Sequence, residues 1–556
     1  MTVLKKILNN LEFEYLVEFL PEWQKRYFLS ESLIESRQQL SEYILSSAYE
    51  LIDDKTKLVF LLLKLDNFHR EQVIKLVSKG FSFDQLIISI RNNELDKKSI
   101  LNIKDFLGIS LEKNSELTEN KDMFEGPKIR FFELLDYQVY VKEQLLTIIN
   151  SENDVNRVVV HMPTGTGKTK TSMHTLVEYY LNTLQKQGLI IWVAHTNTLL
   201  EQAEETLENV WGKLGVGSIN VYRLYSKYND IVSIKSTGVL FIGVQKLIQI
   251  SKKDEELSSL ISEITRLVIF DEAHKSTAYE TKKAIQRIIR YKAGVRKALI
   301  GLTATPGRNA NEEFSNIELA EFYNKNIITI NPLVIEQLRV TQFKAFNQNL
   351  SKMNIISYFQ ERRILAKLKR EILEYDDNEI NKKITSMNTK LKNYDDLPPE
   401  VVRVFSENIH RNSKIIERIE QLVNDKKQII LFACSVEHGK FLTSVLQVKK
   451  IKAKEVYGET QSFRRVEIIK QFKRNEINVL INCGVLTTGF DSTNINCVFI
   501  TRPTNSVVLY SQMIGRGLRG PKMGGNEECL LVDMKDNLSK FKNDDEIFKY
   551  FNNYWG

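Results

Sequence analysis

Nine short apolar runs decide what this chain can fold into. NRVVVHM, GLIIWVAH, GVLFIGV, RLVIFDEAH and KALIGLTAT fall between residues 156 and 305, and QIILFACS, INVLINCG, NCVFITRP and ECLLVDM between 428 and 534. Each is rich in β-branched and aliphatic residues, and longer stretches of helical spacing separate them. Apolar strands alternating with helices specify a parallel sheet covered on both faces. Two groups of runs therefore predict two α/β lobes, each built on one sheet whose strands end in polar residues.

The remaining chain reads differently. In residues 1–115, LKKILNNLEFEYLVEFL, SLIESRQQLSEYILSSAYELI and REQVIKLVSKG place apolar residues three and four apart, which predicts an all-helical N-terminal domain. Gly80 and Gly108 are read as helix stops. KNSELTENKDMFEGPK is polar and reads as a linker. The first lobe is assigned to 116–336 and the second to 413–556. Between them, 337–412 reads as a charged helical connector ending at Pro398-Pro399, either exposed or guiding nucleic acid. Within 1–115, Asp84 with Asp96-Lys97-Lys98 is read as a solvated helix end rather than a nuclease cluster.

Composition excludes whole classes. Among 556 residues no apolar run approaches the ~20 needed to span a membrane. Leu58 to Leu63 is flanked by Lys57 and Lys64, and Glu12, Glu14 and Glu18 interrupt any leader-like stretch. The expectation is a cytoplasmic protein without membrane contact. Cys434, Cys483, Cys497 and Cys529 form no CxxC pair and read as buried small hydrophobes. The histidines show no HxxxH or HEXXH spacing. The net charge of +8 comes from outside the first 115 residues, which suits a polyanionic partner.

Chemistry concentrates at the strand ends. MPTGTGKT, Met162 to Thr169, follows one strand and opens a helix, the context of a phosphate-binding loop. Gly165 and Gly167 let backbone N–H groups face phosphate oxygens at a helix N-terminus. Lys168 reaches the β- and γ-phosphates, and Thr169 suits Mg²⁺. After RLVIF come Asp271, fit to be the outer Mg²⁺ carboxylate, and Glu272, fit to orient an attacking water. His274 is placed to couple this site to neighbouring motifs. GLTATPGR supplies Thr303 and Thr305 as relays of the γ-phosphate state. In the second lobe QMIGRGLRG spaces Arg516 and Arg519 i, i+3, predicting one shared helix face and a pair of arginine fingers.

PTGTGKT, DEAH, TAT, TTGFD and QMIGRGLR, in this order, resemble superfamily-two helicases. GLTATPGR with TGFD and GRGLRG is most similar to the branch of XPB-like helicases and restriction-enzyme motor subunits. The likeness spans about residues 130 to 540. It implies two RecA-like lobes that hydrolyse ATP with Mg²⁺ and act on nucleic acid, DNA before RNA. It implies Gln138, beside Tyr137, as the adenine reader; Thr164, Gly165, Thr166, Gly167, Lys168, Thr169, Gly489 and Asp491 at ATP; and Gln512 with Glu272, Arg516 and Arg519 in catalysis. Thr196, Gln245, Ser435, Thr487 and Thr488 become nucleic-acid contacts. Gly243 stands where relatives usually carry Thr. Two rival readings remain: an RNA helicase, or an ATP-gated clamp that recruits a partner nuclease through residues 1–115 in a restriction or antiviral defence complex.

Overall fold

The computed structural model describes most of the chain. Outside the described residues lie chiefly 26–36, 47–51, 110–122, 126–132, 229–233, 309–312, 340–353, 376–396, 487–491 and 535–543, with a few shorter stretches. No described helix is long and apolar enough to cross a membrane.

Two separate sheets hold the strands. The first has eight: β1 (Met123–Glu125), β2 (Val155–His161), β3 (Gly188–Ala194), β4 (Ser218–Leu224), β5 (Thr237–Gly243), β6 (Thr265–Asp271), β7 (Lys297–Thr303) and β8 (Ile327–Thr329). Their order is β1-β4-β5-β3-β6-β7-β2-β8. All pairings are parallel except β1 with β4. The central strand β3 is buried at every position, as a sheet with helices on both faces requires. The second sheet has six strands, all parallel: β9 (Lys367–Leu373), β10 (Ile429–Phe432), β11 (Ala453–Tyr457), β12 (Val479–Cys483), β13 (Cys497–Ile500) and β14 (Glu528–Met534), ordered β11-β12-β10-β13-β14-β9.

All nine expected runs are strands, and the structure adds five more. Two of these correct the sequence reading. Part of the polar linker, Met123–Glu125, pairs with β4. Within the connector, helices Ile355–Glu361 and Pro399–Ser406 form, but Lys367–Leu373 is a strand rather than helix and joins the second sheet beside β14. The run KLKREIL is mostly charged and no position in it is fully buried, so it suits a solvent-exposed edge strand as well as it suits a helix. Pairing with the apolar β14 settles the matter, because tertiary context overrides local preference.

The N-terminal domain is helical wherever it is described, in seven helices from Val3–Asn10 to Lys97–Leu107. Gly108 closes the last of these in the left-handed conformation, φ 86°. Gly80 also has positive φ, but helix Asn67–Lys75 has already ended at Leu76. Asp96 caps its helix by accepting from the Ser99 N–H at 2.8 Å, and Asp84 lies in the first turn of another, so both are helix-end residues. The domain does not stand apart. Its buried Leu4, Leu8, Leu40, Ile44 and Leu61 join one apolar cluster with Ile415, Leu442, Val445 and Phe499 of lobe 2. Each such fully buried aliphatic contributes about 1.5–3 kcal/mol of transfer free energy.

Candidate active site

Three neighbouring strands deliver the site. In the β2–β7 register His161 lies opposite Thr303, and in the β6–β7 register Asp271 lies opposite Leu302. The loop after β2, the carboxylates after β6 and the threonines after β7 therefore leave the sheet side by side. This is the carboxyl edge of a parallel sheet, where ligands bind in such folds.

The loop after β2 folds as its glycines require. Gly165 and Gly167 take φ of 86° and 84°, a region that penalises a Cβ. A Cβ at Gly167 would also lie 2.4 Å from the Gln138 amide nitrogen. Thr166 is buried and donates its hydroxyl to the Pro163 carbonyl at 2.7 Å. Helix Lys168–Glu178 starts immediately after, and Thr169 sits partly exposed in its first turn. Lys168 Nζ donates to the carbonyls of Met162 (3.0 Å) and Pro163 (3.3 Å). Burial pulls its pKa down to about 8, against the upward pull of Glu272 and Asp271.

Asp271 ends β6 inside the protein. Burial, reinforced by the Glu272 carboxylate, pushes its pKa up to about 7, while Lys168 opposes the rise. Its Oδ1 accepts from the Glu272 N–H at 3.0 Å. Glu272 adopts φ 61°, which for a non-glycine residue stores about 1–3 kcal/mol of strain. That backbone aims its carboxylate at His274, whose Nδ1 lies 3.4 Å from Glu272 Oε2 and 3.4 Å from the Thr303 hydroxyl. Thr303 Oγ1 donates to the Thr305 carbonyl and accepts from the Thr305 N–H, at 2.8 and 3.0 Å. Glu272, His274, Thr303 and Thr305 thus form one connected chain. Burial holds His274 neutral, with its pKa lowered to about 3.

Lobe 2 supplies the arginines, by a route the sequence reading did not foresee. Helix Val507–Ile514 ends before them, so Arg516 and Arg519 share no helix face. Gly515, Gly517 and Gly520 follow the helix where the chain passes too close to neighbouring side chains and backbone for a side chain of its own. A Cβ at Gly515 would meet the Thr164 Cβ at 2.7 Å, and one at Gly517 the Cys529 Sγ at 2.4 Å. Arg519 instead bridges to Leu365 beside β9. The turn lays Arg519 over the loop of lobe 1, where a Cβ on Gly165 would lie 3.4 Å from Arg519 Cγ. Arg516 lies near enough to Lys168 to lower its pKa electrostatically. Gln512 is buried on the helix just before the turn.

Gln138 is fully buried against the loop. Its amide donates to the Thr166 carbonyl at 2.9 Å, and its Oε1 accepts from the Leu135 N–H at 2.9 Å. Tyr137 donates to the same Thr166 carbonyl at 2.8 Å. Thr196 and Ser435 occupy equivalent places, each capping the helix that follows an inner strand of its lobe, and accept from Leu199 N and His438 N. Ser435 also lines an open cleft of about 700 Å³ with Arg403, Glu437, Cys483 and Arg502. Gln245 is exposed in the first turn of helix Val244–Lys253. Thr487, Thr488, Gly489 and Asp491 lie outside the described residues.

Two features escaped the sequence reading. Asp136, next to Tyr137, accepts two bonds from Arg362, at 2.7 and 2.8 Å, and so ties lobe 1 to the segment leading into β9. Residues 544–555, which the sequence reading placed within lobe 2, pack on lobe 1. The only trace of this in sequence is the aromatic density of FKYFNNYW.

The oxygen donors fit Mg²⁺. Thr169 and Asp271 offer one hydroxyl and one carboxylate, the sparse hard set Mg²⁺ takes when phosphate oxygens and water complete its shell. The raised pKa of Asp271 marks a carboxyl group that a cation would stabilise in its charged form.

Comparison with known proteins agrees with this geometry. Residues 131–308 match the family model described as Type III restriction enzyme, res subunit, and residues 412–520 match Helicase conserved C-terminal domain. The chain is 27% identical over 404 residues to "Putative ATP-dependent helicase IRC3" of Saccharomyces cerevisiae, covering 72% of this chain and 51% of that protein. It therefore spans about half the length of that relative. It is 21% identical over 429 residues to "Probable ATP-dependent RNA helicase ddx51" of Dictyostelium discoideum, covering 69% of each. Among solved structures, Saccharomyces cerevisiae Dbp5 bound to RNA and ADP BeF3 aligns over 76% of this chain and 91% of its own, at 13% identity and a TM-score of 0.43. Two parallel-sheet lobes with these motifs at their facing edges, and family models matched to each lobe, place the chain in the superfamily-two helicases, a family of ATP-hydrolysing proteins.

Proposed function

We propose that this chain is an ATP- and Mg²⁺-dependent motor that moves along DNA. What carries the reading is the meeting of the Arg516–Arg519 turn of lobe 2 with the Gly165–Lys168 loop of lobe 1, beside Asp271 and Glu272. In this mechanism Gly165, Gly167 and Lys168 cradle the triphosphate of ATP. Mg²⁺, held by Thr169 and Asp271, would neutralise phosphate charge when bound. Glu272 orients the attacking water, and the bond from the γ-phosphorus to its bridging oxygen breaks, leaving ADP and inorganic phosphate. Arg516 and Arg519 offset charge on the transferring group. His274, Thr303 and Thr305 carry the state of Glu272 to the loop after β7. Hydrolysis then needs closed lobes, and phosphate release permits opening.

Thr196, Gln245 and Ser435 grip the nucleic-acid backbone, so contact is mainly sequence-independent. DNA is favoured by the restriction-subunit character of lobe 1, and RNA by the likeness to a probable RNA helicase. The deciding experiment is steady-state ATP hydrolysis alone, then with single-stranded DNA, duplex DNA and RNA, with Lys168→Ala as control. Stimulation by DNA, lost in the variant, is the expected result. Stimulation by RNA alone replaces the substrate. No hydrolysis under any condition overturns the stand-alone motor and favours a clamp that awaits a partner.

A further inference from the structure

Residues 544–555, assigned to lobe 2 from the sequence, lay Phe548, Phe551 and Trp555 against lobe 1. Phe548 is buried and stacks on His161, the last residue of β2 before the phosphate loop, with centroids 3.9 Å apart and planes 16° apart. Phe551 is fully buried against Gly307, where a Cβ would come within 2.0 Å of its ring. Trp555 is buried too, and its indole N–H donates to the Pro306 carbonyl at 2.7 Å. These anchors therefore hold both ends of the active-site edge: the strand feeding the loop, and the turn just past Thr303 and Thr305.

The same segment also touches the other lobe. Helix Asp544–Lys549 packs on helix Val507–Ile514, which leads into the arginine turn, and on helix Ile355–Glu361. Phe548 lines a small void with Pro163, Thr164 and Ala304 of lobe 1 and Ser511 and Ile514 of lobe 2. Its ring sits where the two lobes and the strap meet.

We propose that residues 544–555 act as a strap that sets how far the lobes separate and couples lobe closure to the Thr305–Gly307 turn. Phe548, Phe551 and Trp555 are positioning residues; none touches the reacting groups. The geometry makes the reason physical. The Gly307 contact leaves no slack, and the indole bond fixes the adjacent carbonyl. The turn cannot shift without moving Phe551 and Trp555, and through the helix before them the segment bearing Arg516.

The effect on lobe spacing is independent of the motor reading, whereas the effect on turnover rests on it, so the test has two parts. Spin labels on Lys253→Cys and Lys473→Cys, with Cys483→Ser, report interlobe distance in the full chain without nucleotide. The strap predicts one narrow distribution in the parent. It predicts a longer, broader one in Phe551→Ala/Trp555→Ala and a milder change in Trp555→Phe, which keeps the ring and loses only the donor. Identical distributions in all three overturn it. In parallel, the ratio of nucleic-acid-stimulated to unstimulated kcat is expected to fall roughly fivefold in Trp555→Phe, the scale of one buried hydrogen bond, with KM for ATP unchanged. Equal loss of both rates with a lower Tm would mean a merely structural role and overturn the coupling. A parent without hydrolysis would overturn the motor reading and leave the distances to decide the strap.

Discussion

Two of the buried charged groupings of lobe 1 are built on opposite plans. At Arg223 the guanidinium meets Glu204 through three bonds: Nε at 2.9 and 3.0 Å and Nη2 at 2.6 Å. Tyr225 donates to the same carboxylate at 3.0 Å, and Arg223 is 1% exposed. At the phosphate loop, Lys168 bonds two carbonyls and, among the described residues, no carboxylate, though Asp271 and Glu272 are close enough to act on it. The first grouping is complete and holds β4 to helix Asn197–Leu214. The second is incomplete in its own lobe, and its perturbed Lys168 and Asp271 signal a place shaped for a charged ligand. Satisfied buried charge points to architecture, and unsatisfied buried charge points to chemistry.

The contrast breaks most sharply at Lys168. Lys168→Ala is expected to lower ATP hydrolysis by roughly a thousandfold or more, about 4 kcal/mol in the barrier, while leaving Tm near that of the parent. A large fall in Tm would mean that Lys168 is structural after all. Glu204→Ala should do the reverse. Leaving Arg223 buried without its carboxylate costs about 3–5 kcal/mol of stability, visible as a lowered melting temperature of lobe 1, while kcat per folded molecule holds. An unchanged Tm would remove Arg223–Glu204 from the architecture.

Ligand binding sharpens the comparison from the other side. A non-hydrolysable ATP analogue with Mg²⁺ at about a hundred times its Kd should stabilise the parent by about 2.7 kcal/mol. The gain should vanish in Lys168→Ala and persist in a Glu204→Ala chain held below its own Tm. Loss in both would show that the two groupings are coupled.

The smallest expected effect concerns a neutral counterpart of the satisfied pair. His438 is buried, accepts from the Cys434 N–H at 3.2 Å and lies 3.0 Å from Asn412 Oδ1. Burial and the nearby Arg411 lower its pKa from 6.5 to about 3. Because the unfolded chain takes up the proton first, this contribution is full above pH 6.5 and is lost as pH falls from there toward 3. Each such histidine steepens the decline by about 1.4 kcal/mol per pH unit. His438→Gln should flatten the acid limb of stability against pH by that amount, and an unaltered slope would rule His438 out as its source.

Much of this was legible because it is local. A strand, a glycine loop and a helix lie contiguous around Lys168, and strands β6 and β7 each carry their site residues at their own ends. The nine apolar runs marked nine strands for the same reason. What escaped depends on partners distant in sequence. Lys367–Leu373 is a strand only because β14 lies beside it, more than 150 residues away. Arg362 finds Asp136 across 226 positions, and Trp555 finds Pro306 across 249. The i, i+3 spacing of Arg516 and Arg519 suggested a helix, but the helix ends at Ile514, and the three glycines that follow lie close to Thr164, Cys529 and the Arg363 carbonyl.

The seat of the N-terminal helices on lobe 2 bears on how the chain is made. Their apolar residues join one buried cluster with Ile415, Leu442, Val445 and Phe499, so the part of that core lobe 2 supplies is synthesised roughly 300 residues after they emerge. At about 5–20 residues per second the helices wait tens of seconds with those residues uncovered while all of lobe 1 is threaded out. The N-terminal helices thus complete their packing only once lobe 2 has been made.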